Sequence, residues 1–186
     1  QKTELIPFLE YIPAEVDNSF MRSALVSLFG PFISFQKEGT KYTKFSSGSL
    51  QLIPMICYEV LFGKLVIDKV RRVENNSLMV VLSNDMWFGN SRATYQHTGY
   101  AILRAIENRL PVLHAVNNGP SVLITSSGNR QYETEMFKNG PYLINVKTQN
   151  MGLNSFYSLY PSAFININYV LIAAYILTAI RKRKVI

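Results

Sequence analysis

From Ala163 to Ile180 the chain reads AFININYVLIAAYILTAI, eighteen residues without a formal charge, and Arg181, Lys182, Arg183 and Lys184 follow at once. A helix over that run rises about 27 Å, close to the roughly 30 Å hydrocarbon core of a bilayer. Such a segment has two homes: the core of a water-soluble fold, or a membrane. The membrane reading is preferred, because the run has spanning length and abuts a basic cluster, which satisfies the positive-inside pattern. It predicts a transmembrane helix over residues 163–180 and a basic cytoplasmic tail over 181–186. Everything before Ala163 then lies on the outer face of the membrane. Asn166 and Asn168 fall in the first turn, at the interface, and Tyr169 suits an aromatic belt.

The remaining 160 or so residues suffice for one domain with a core and are too few for two comfortable ones. Charged residues make up 17% of the 186 and AVILMFWYC residues 48%, which excludes disorder as the main state. A single cysteine, Cys57, excludes a disulfide scaffold. The net charge of +7 falls to +3 once the four terminal basic residues are set aside (7 − 4), and no basic stripe is interleaved with aromatics. Nucleic acid is therefore not an expected partner. The chain opens on Gln1 with no signal-peptide pattern, so the expectation is a processed start or a part of a longer product.

Between Leu50 and Thr125 strands and helices alternate. Leu50–Cys57 reads as a strand whose Pro54 marks an edge or a bulge. Glu59–Arg72 has near-helical apolar spacing at Val60, Leu61, Leu65, Val66 and Val70, stopped by Asn75–Ser77. Leu78–Ser83 reads as a buried strand, and 84–90 as a loop containing Trp87, the one tryptophan. Ala93–Arg109 is a predicted helix with Ile102, Leu103 and Ile106 on one side, closed by Pro111. Pro111–Val116 and Ser121–Thr125 flank the turn Asn117-Asn118-Gly119, and Ser127-Gly128-Asn129 makes another. The pattern is α/β, a parallel sheet with an antiparallel extension. Residues 14–49, broken by Gly30, Pro31, Gly39 and Gly48, are predicted as loops with a short helix near Asn18–Phe29.

Cys57 lies where the first of these strands meets its helix, and the partial positive charge of a helix start favours a nucleophilic thiol. Spacing alone fits a buried structural cysteine as well. His97 and His114, separated by a helix, read as packing residues: Cys57 is the one other soft ligand, so no metal site follows.

Around Cys57 stand three blocks in order: Lys2-x-x-Leu5-x-Pro7-Phe8-x-Glu10, Cys57-Tyr58-Glu59, and Asn84-Asp85-x-Trp87-Phe88-Gly89. Tyr95-Gln96-His97, Arg104-Ala105-Ile106-Glu107 and Asn117-Asn118-Gly119 come after them. This order resembles the nitrilase (carbon–nitrogen hydrolase) superfamily, and within it the apolipoprotein N-acyltransferase family of bacterial inner-membrane enzymes. The resemblance covers essentially the whole chain. It implies the C-terminal half of an α-β-β-α sandwich over residues 1–160, carried outside the membrane on the periplasmic face. By the same resemblance Cys57 is the nucleophile, Lys2 the triad lysine, Glu10 a supporting glutamate and Glu59 the one after the nucleophile. Tyr58, Trp87 and Glu107 fall to the substrate side. No cofactor is implied.

The implied chemistry is acyl transfer. A phospholipid is the acyl donor, Cys57 carries the acyl group as a thioester, and the N-terminal amine of a diacylated lipoprotein accepts it. A lysine ammonium stabilises the oxyanion, while carboxylates hold the lysine and move protons. Two other readings stay open: a soluble-type amidase of the same superfamily, and a non-catalytic remnant that merely sits in the membrane. The family's third triad member, a glutamate several dozen residues ahead of the lysine, has no counterpart here, and Pro120 replaces the usual aliphatic residue after Asn-Asn-Gly. A missing N-terminal half is thus an expected partner, and residues 1–186 alone are expected to be inactive. Lys2, near the end of the chain, is expected to fray.

Overall fold

The computed structural model describes residues 2–8, 10–29, 37–39, 42–73, 76–138, 140–146, 148 and 155–183. Gln1, Gly30, Pro31, Asn75 and Lys184, on which parts of the sequence reading rest, lie outside the described residues.

Six strands form one mixed sheet in chain order: β1 (Phe45–Ser47), β2 (Leu50–Ile56), β3 (Ser77–Asn84), β4 (Val112–Asn117), β5 (Val122–Ile124) and β6 (Arg130–Gln131). β2, β3 and β4 run parallel, whereas β1 pairs antiparallel with β2, β5 with β4 and β6 with β5. The parallel centre with an antiparallel extension matches the sequence reading. Pro54 sits beyond the β1 pairing, on the stretch of β2 whose one strand neighbour among the described residues is β3. That is where a residue without an N–H is tolerated.

Register explains the core. Ile53, Met79, Val112 and Ile124 form one row across the sheet, and Met55, Val81, His114 and Val122 the next. Both rows are buried against α2 (Gly63–Val70) and α3 (Ala93–Asn108). Strand periodicity turns the alternate residues to the other face. There Ile56 and Leu82, neighbours in register, are exposed.

Two elements differ from expectation. The predicted helix over Glu59–Arg72 is split: a 3-10 helix covers Cys57–Leu61, and α2 starts at Gly63. No α-helix start lies at Cys57, so the helix-dipole rationale for its reactivity does not hold. On α3 the buried residues are Thr94, His97, Thr98, Ala101, Arg104, Ala105 and Asn108, and Ile102 packs half-buried against the core, while Leu103 and Ile106 are exposed. Small and polar side chains let the helix approach the sheet closely, and the two exposed aliphatics take the outer side.

The predicted short helix is α1 (Ser19–Phe29), with the Asn18 side chain accepting from the Met21 N–H at 2.8 Å. Near the end of the chain, α4 (Phe156–Leu159) is tied to the body by the Arg71 guanidinium, which donates to the Ser158 carbonyl at 2.7 Å, and by the Ser155 hydroxyl on the Glu107 carbonyl. This anchors the root of α5 (Ala163–Arg183), 21 residues or about 31 Å long. No residue of Ala163–Arg181 is buried among the described residues, and the helix is long and apolar enough to cross a membrane.

Candidate active site

β2 ends in a corner. Ile56 is extended, and Cys57 turns into the left-handed region at φ 53°. A non-glycine residue there costs about 1–3 kcal/mol and persists only where its surroundings impose it. The half-buried thiol is the one cysteine of the chain.

The surroundings begin with Glu59, which is fully buried. Its Oε1 accepts from the Thr3 N–H at 2.6 Å and the Thr3 hydroxyl at 2.9 Å. Its Oε2 accepts from the Ile56 N–H at 2.8 Å and the Lys69 ammonium at 3.1 Å. One carboxylate thus ties the residue after Lys2 to the residue before Cys57. Burial alone would raise its pKa, but the Thr3 and Ile56 amides and then Lys69 outweigh it, and the net direction is downward. Lys69 also donates to the Pro54 carbonyl at 3.1 Å.

Lys2 does not fray. It is 8% exposed, and its ammonium donates to both oxygens of Glu10 at 2.5 and 2.6 Å. Glu10 also accepts from the Ile6 N–H at 2.9 Å, and Gly39 donates to the Lys2 carbonyl at 2.7 Å. A local ion pair eight residues apart, with Thr3 fixed by Glu59, orders the segment that the sequence reading left loose.

Beside the corner lies an aromatic group in which His97 and His114 are buried and Tyr58 and Phe88 half-buried. Tyr58 stacks on His97 with centroids 5.5 Å apart, and Phe88 meets Tyr58 edge-on at 6.1 Å. His97 packs edge-on against His114 at 4.9 Å. Burial first, and the nearby carboxylate and thiol charges after it, raise the Tyr58 pKa. His114 is pushed down to about 4, chiefly by burial and further by His97, with Asp85 opposing. Its Nδ1 meets the Thr98 hydroxyl at 3.3 Å, while Nε2 has no hydrogen-bond partner among the described residues. Both histidines are buried, His97 at 2% and His114 at 0% exposure. What the sequence reading missed is that His97 also bonds the backbone of Cys57, a contact between α3 and the corner that no spacing rule reveals.

Trp87, on the 3-10 helix Asp85–Phe88, is 59% exposed rather than a core aromatic. Glu107 lies where α3 meets α4 and pairs with Arg104 at 3.0 Å; burial raises its pKa, with Arg104 opposing. The structure therefore joins Lys2, Glu10, Cys57, Tyr58 and Glu59 through short bonded paths. Among the described residues Glu107 bonds Arg104 and, through its carbonyl, Ser155, and stands apart from that group.

His114 gives a pH prediction. Its folded pKa lies below the ordinary 6.5, so the unfolded chain binds more protons between pH 6.5 and about 4, and stability falls as pH drops through that window. The expected loss is about 3 kcal/mol by pH 4. Urea unfolding at pH 7 and pH 4.5 checks it: His114→Phe should show a smaller pH dependence than the parent in this range.

The Carbon-nitrogen hydrolase family model matches residues 1–145. The chain belongs to the carbon–nitrogen hydrolase family. Within that class it is similar to apolipoprotein N-acyltransferases: 32% identical over 163 residues to that of Geobacter metallireducens, covering 88% of this chain and 30% of that protein. To the Haemophilus influenzae protein of the same name it is 35% identical over 128 residues, 68% of this chain and 23% of that one. The chain thus spans less than a third of the length of these relatives. Among solved structures, an amidase from Nesterenkonia sp. matches 56% of this chain and 41% of its own, at 22% identity and a TM-score of 0.47.

Proposed function

We propose that these residues form the thiol half of an acyl-transfer site, moving a fatty acyl group from a phospholipid to the N-terminal amine of a diacylated lipoprotein. The observation that carries the reading is the Glu59 bridge, which holds the Lys2–Glu10 pair and the Cys57 corner in one bonded unit. The names of the relatives point to N-acyl transfer onto an apolipoprotein, and the family resemblance adds the phospholipid donor.

In the first half-reaction the Cys57 thiolate attacks the ester carbonyl carbon. The C–S bond forms, the ester C–O bond breaks, and the lysophospholipid alkoxide leaves with a proton. In the second, the free amine attacks the thioester; the C–N bond forms, the C–S bond breaks and the thiol is restored. The Lys2 ammonium, held by Glu10, stabilises the oxyanion of each tetrahedral intermediate. Glu59, with four donors on its two oxygens, positions rather than accepts a proton. Tyr58 and the exposed Trp87 offer apolar surface to the acyl chain, and the resemblance adds Glu107 to the substrate side.

Glu10 and Glu59 are both engaged by donors, so neither serves as general base for the thiol. That role falls to the glutamate which, in the family, precedes the lysine. Residues 1–186 alone are accordingly proposed not to turn over, and the complete enzyme to do so with α5 crossing the inner membrane. The domain before Ala163 then stands on the periplasmic face, as one half of the four-layer sandwich.

The test supplies a complete enzyme containing these residues with phospholipid vesicles and a diacylated lipopeptide. Mass spectrometry should show the lipopeptide heavier by one acyl chain. Ammonia release from short amides without lipopeptide acylation would instead establish an amidase.

A further inference from the structure

The left-handed backbone of Cys57 is held from behind. The Cys57 carbonyl oxygen lies 3.3 Å from Nε2 of His97, and Nδ1 of the same ring lies 3.1 Å from Oδ1 of Asp85. A carbonyl only accepts, and so does an ionised carboxylate. Nε2 thus faces the Cys57 carbonyl as its donor and Nδ1 faces the carboxylate, so one ring bridges the Cys57 backbone and Asp85.

Asp85 is itself fixed. The Ser83 hydroxyl donates to Oδ1 at 2.7 Å, and the Asp85 N–H donates to the Asn117 side-chain oxygen at 3.1 Å. Burial would raise its pKa, but the His97 and Ser83 bonds prevail and keep it below the ordinary carboxyl range. His97 is 2% exposed and boxed by Tyr58, Phe88 and His114. The titratable groups facing it are thus Asp85, Tyr58, His114 and Cys57. Of these Asp85 supplies the negative charge, and His114, with its lowered pKa, stays neutral. The path runs from the ends of β3 and β4, through α3, to the corner after β2.

We propose that the Asp85–His97 pair is a positioning device for the nucleophile: by holding the Cys57 carbonyl it fixes the left-handed corner that presents the thiol. His97 touches no reacting atom and acts through the backbone of Cys57. A residue in this conformation relaxes to the extended or right-handed region once its carbonyl is released, and the direction of the thiol changes with it. The catalytic consequence rests on reading Cys57 as the nucleophile; the structural claim does not.

Because Cys57 is the one cysteine, cysteine labelled with 13C at its carbonyl gives a single resonance that reports this hydrogen bond. His97→Phe keeps the aromatic box and removes the donor, whereas His97→Gln restores an N–H donor. In His97→Phe the resonance should shift upfield from the parent position, and in His97→Gln it should return toward it. In the complete enzyme, the rate of acyl transfer onto Cys57 should fall about tenfold in His97→Phe, the equivalent of one hydrogen bond, with KM unchanged and partial recovery in His97→Gln. Circular dichroism checks the fold; if His97→Phe does not fold, Asp85→Asn, which keeps the ring, is read the same way. An unchanged Cys57 carbonyl resonance in the variant that folds overturns the proposal. A parent enzyme that never acylates at Cys57 would defeat the nucleophile assignment, and the carbonyl resonance would still decide the positioning claim.

Discussion

Glu59→Ala is expected to lower stability by about 3–5 kcal/mol, because removing one partner of a buried ion pair strands the other. Lys69, only 7% exposed, would be left with the Pro54 carbonyl as its remaining acceptor. The Thr3 and Ile56 amides would lose the acceptor that satisfies them, at about 1–3 kcal/mol for each that stays buried. Against a typical total of about 5–15 kcal/mol this is a large fraction. The same change unties the Lys2 segment from the Cys57 corner, and a misplacement of about 1 Å in such a site costs on the order of a hundredfold in rate. Glu59→Gln separates the two effects: it keeps the shape, but its NH2 must face a donor where the carboxylate offered a lone pair. Urea unfolding and the rate of Cys57 acylation, measured on both variants, should show a large loss for alanine and an intermediate one for glutamine. Parent-like behaviour in both would remove the bridge from the account.

The second large effect concerns α5. Its side chains are exposed on every side, Tyr169, Val170, Leu171 and Tyr175 among them, which water does not tolerate over about 31 Å of apolar helix. In a bilayer that surface is solvated by lipid. Leu171→Arg near the middle should cost insertion about 2.5–3.5 kcal/mol, and Leu171→Arg with Ile172→Arg roughly twice that. After alkaline carbonate wash the parent should stay in the membrane pellet and the double variant should move to the supernatant. A reporter fused after Ile186 should be active on the cytoplasmic side. A parent released by the wash, or a reporter active outside, would refute the span or its orientation.

Much of the fold could be read before any coordinates. The alternation Leu50–Ile56, Ser77–Asn84 and Val112–Asn117 has the period and the punctuation that strands and their crossovers require, and the observed bounds fall within a residue or so. What escaped was set by tertiary contact. The corner at Cys57 is invisible to periodicity, since a left-handed cysteine has no local signal; glycine would have announced it. On α3, of the apolar residues Ile102, Leu103 and Ile106, Ile102 packs on the core, yet the sheet took the small residues Ala101 and Ala105 because they let the layers approach.

The candidate site divides in the same way. Lys2, Glu10 and Cys57 stood out through motifs, and Lys2 and Glu10 do meet. The fraying expected of Lys2 failed because an ion pair and a buried carboxylate far along the chain fix the segment. Lys69, which reads as one more cation on an amphipathic helix, was unremarkable in sequence and is buried beside Glu59. His97 was visible as a residue but not as a contact, for its partner is a backbone carbonyl forty positions away.

The central claim is that Cys57 carries the acyl group, and its bonded intermediate can be caught directly. A complete enzyme containing residues 1–186 is incubated with acyl-labelled phospholipid in the absence of acceptor, then digested and mapped by mass spectrometry. The account predicts one acyl chain on the Cys57 peptide, released by neutral hydroxylamine as a thioester must be and absent from Cys57→Ala. Label retained at full level in Cys57→Ala, or label on Cys57 that resists hydroxylamine, would contradict it.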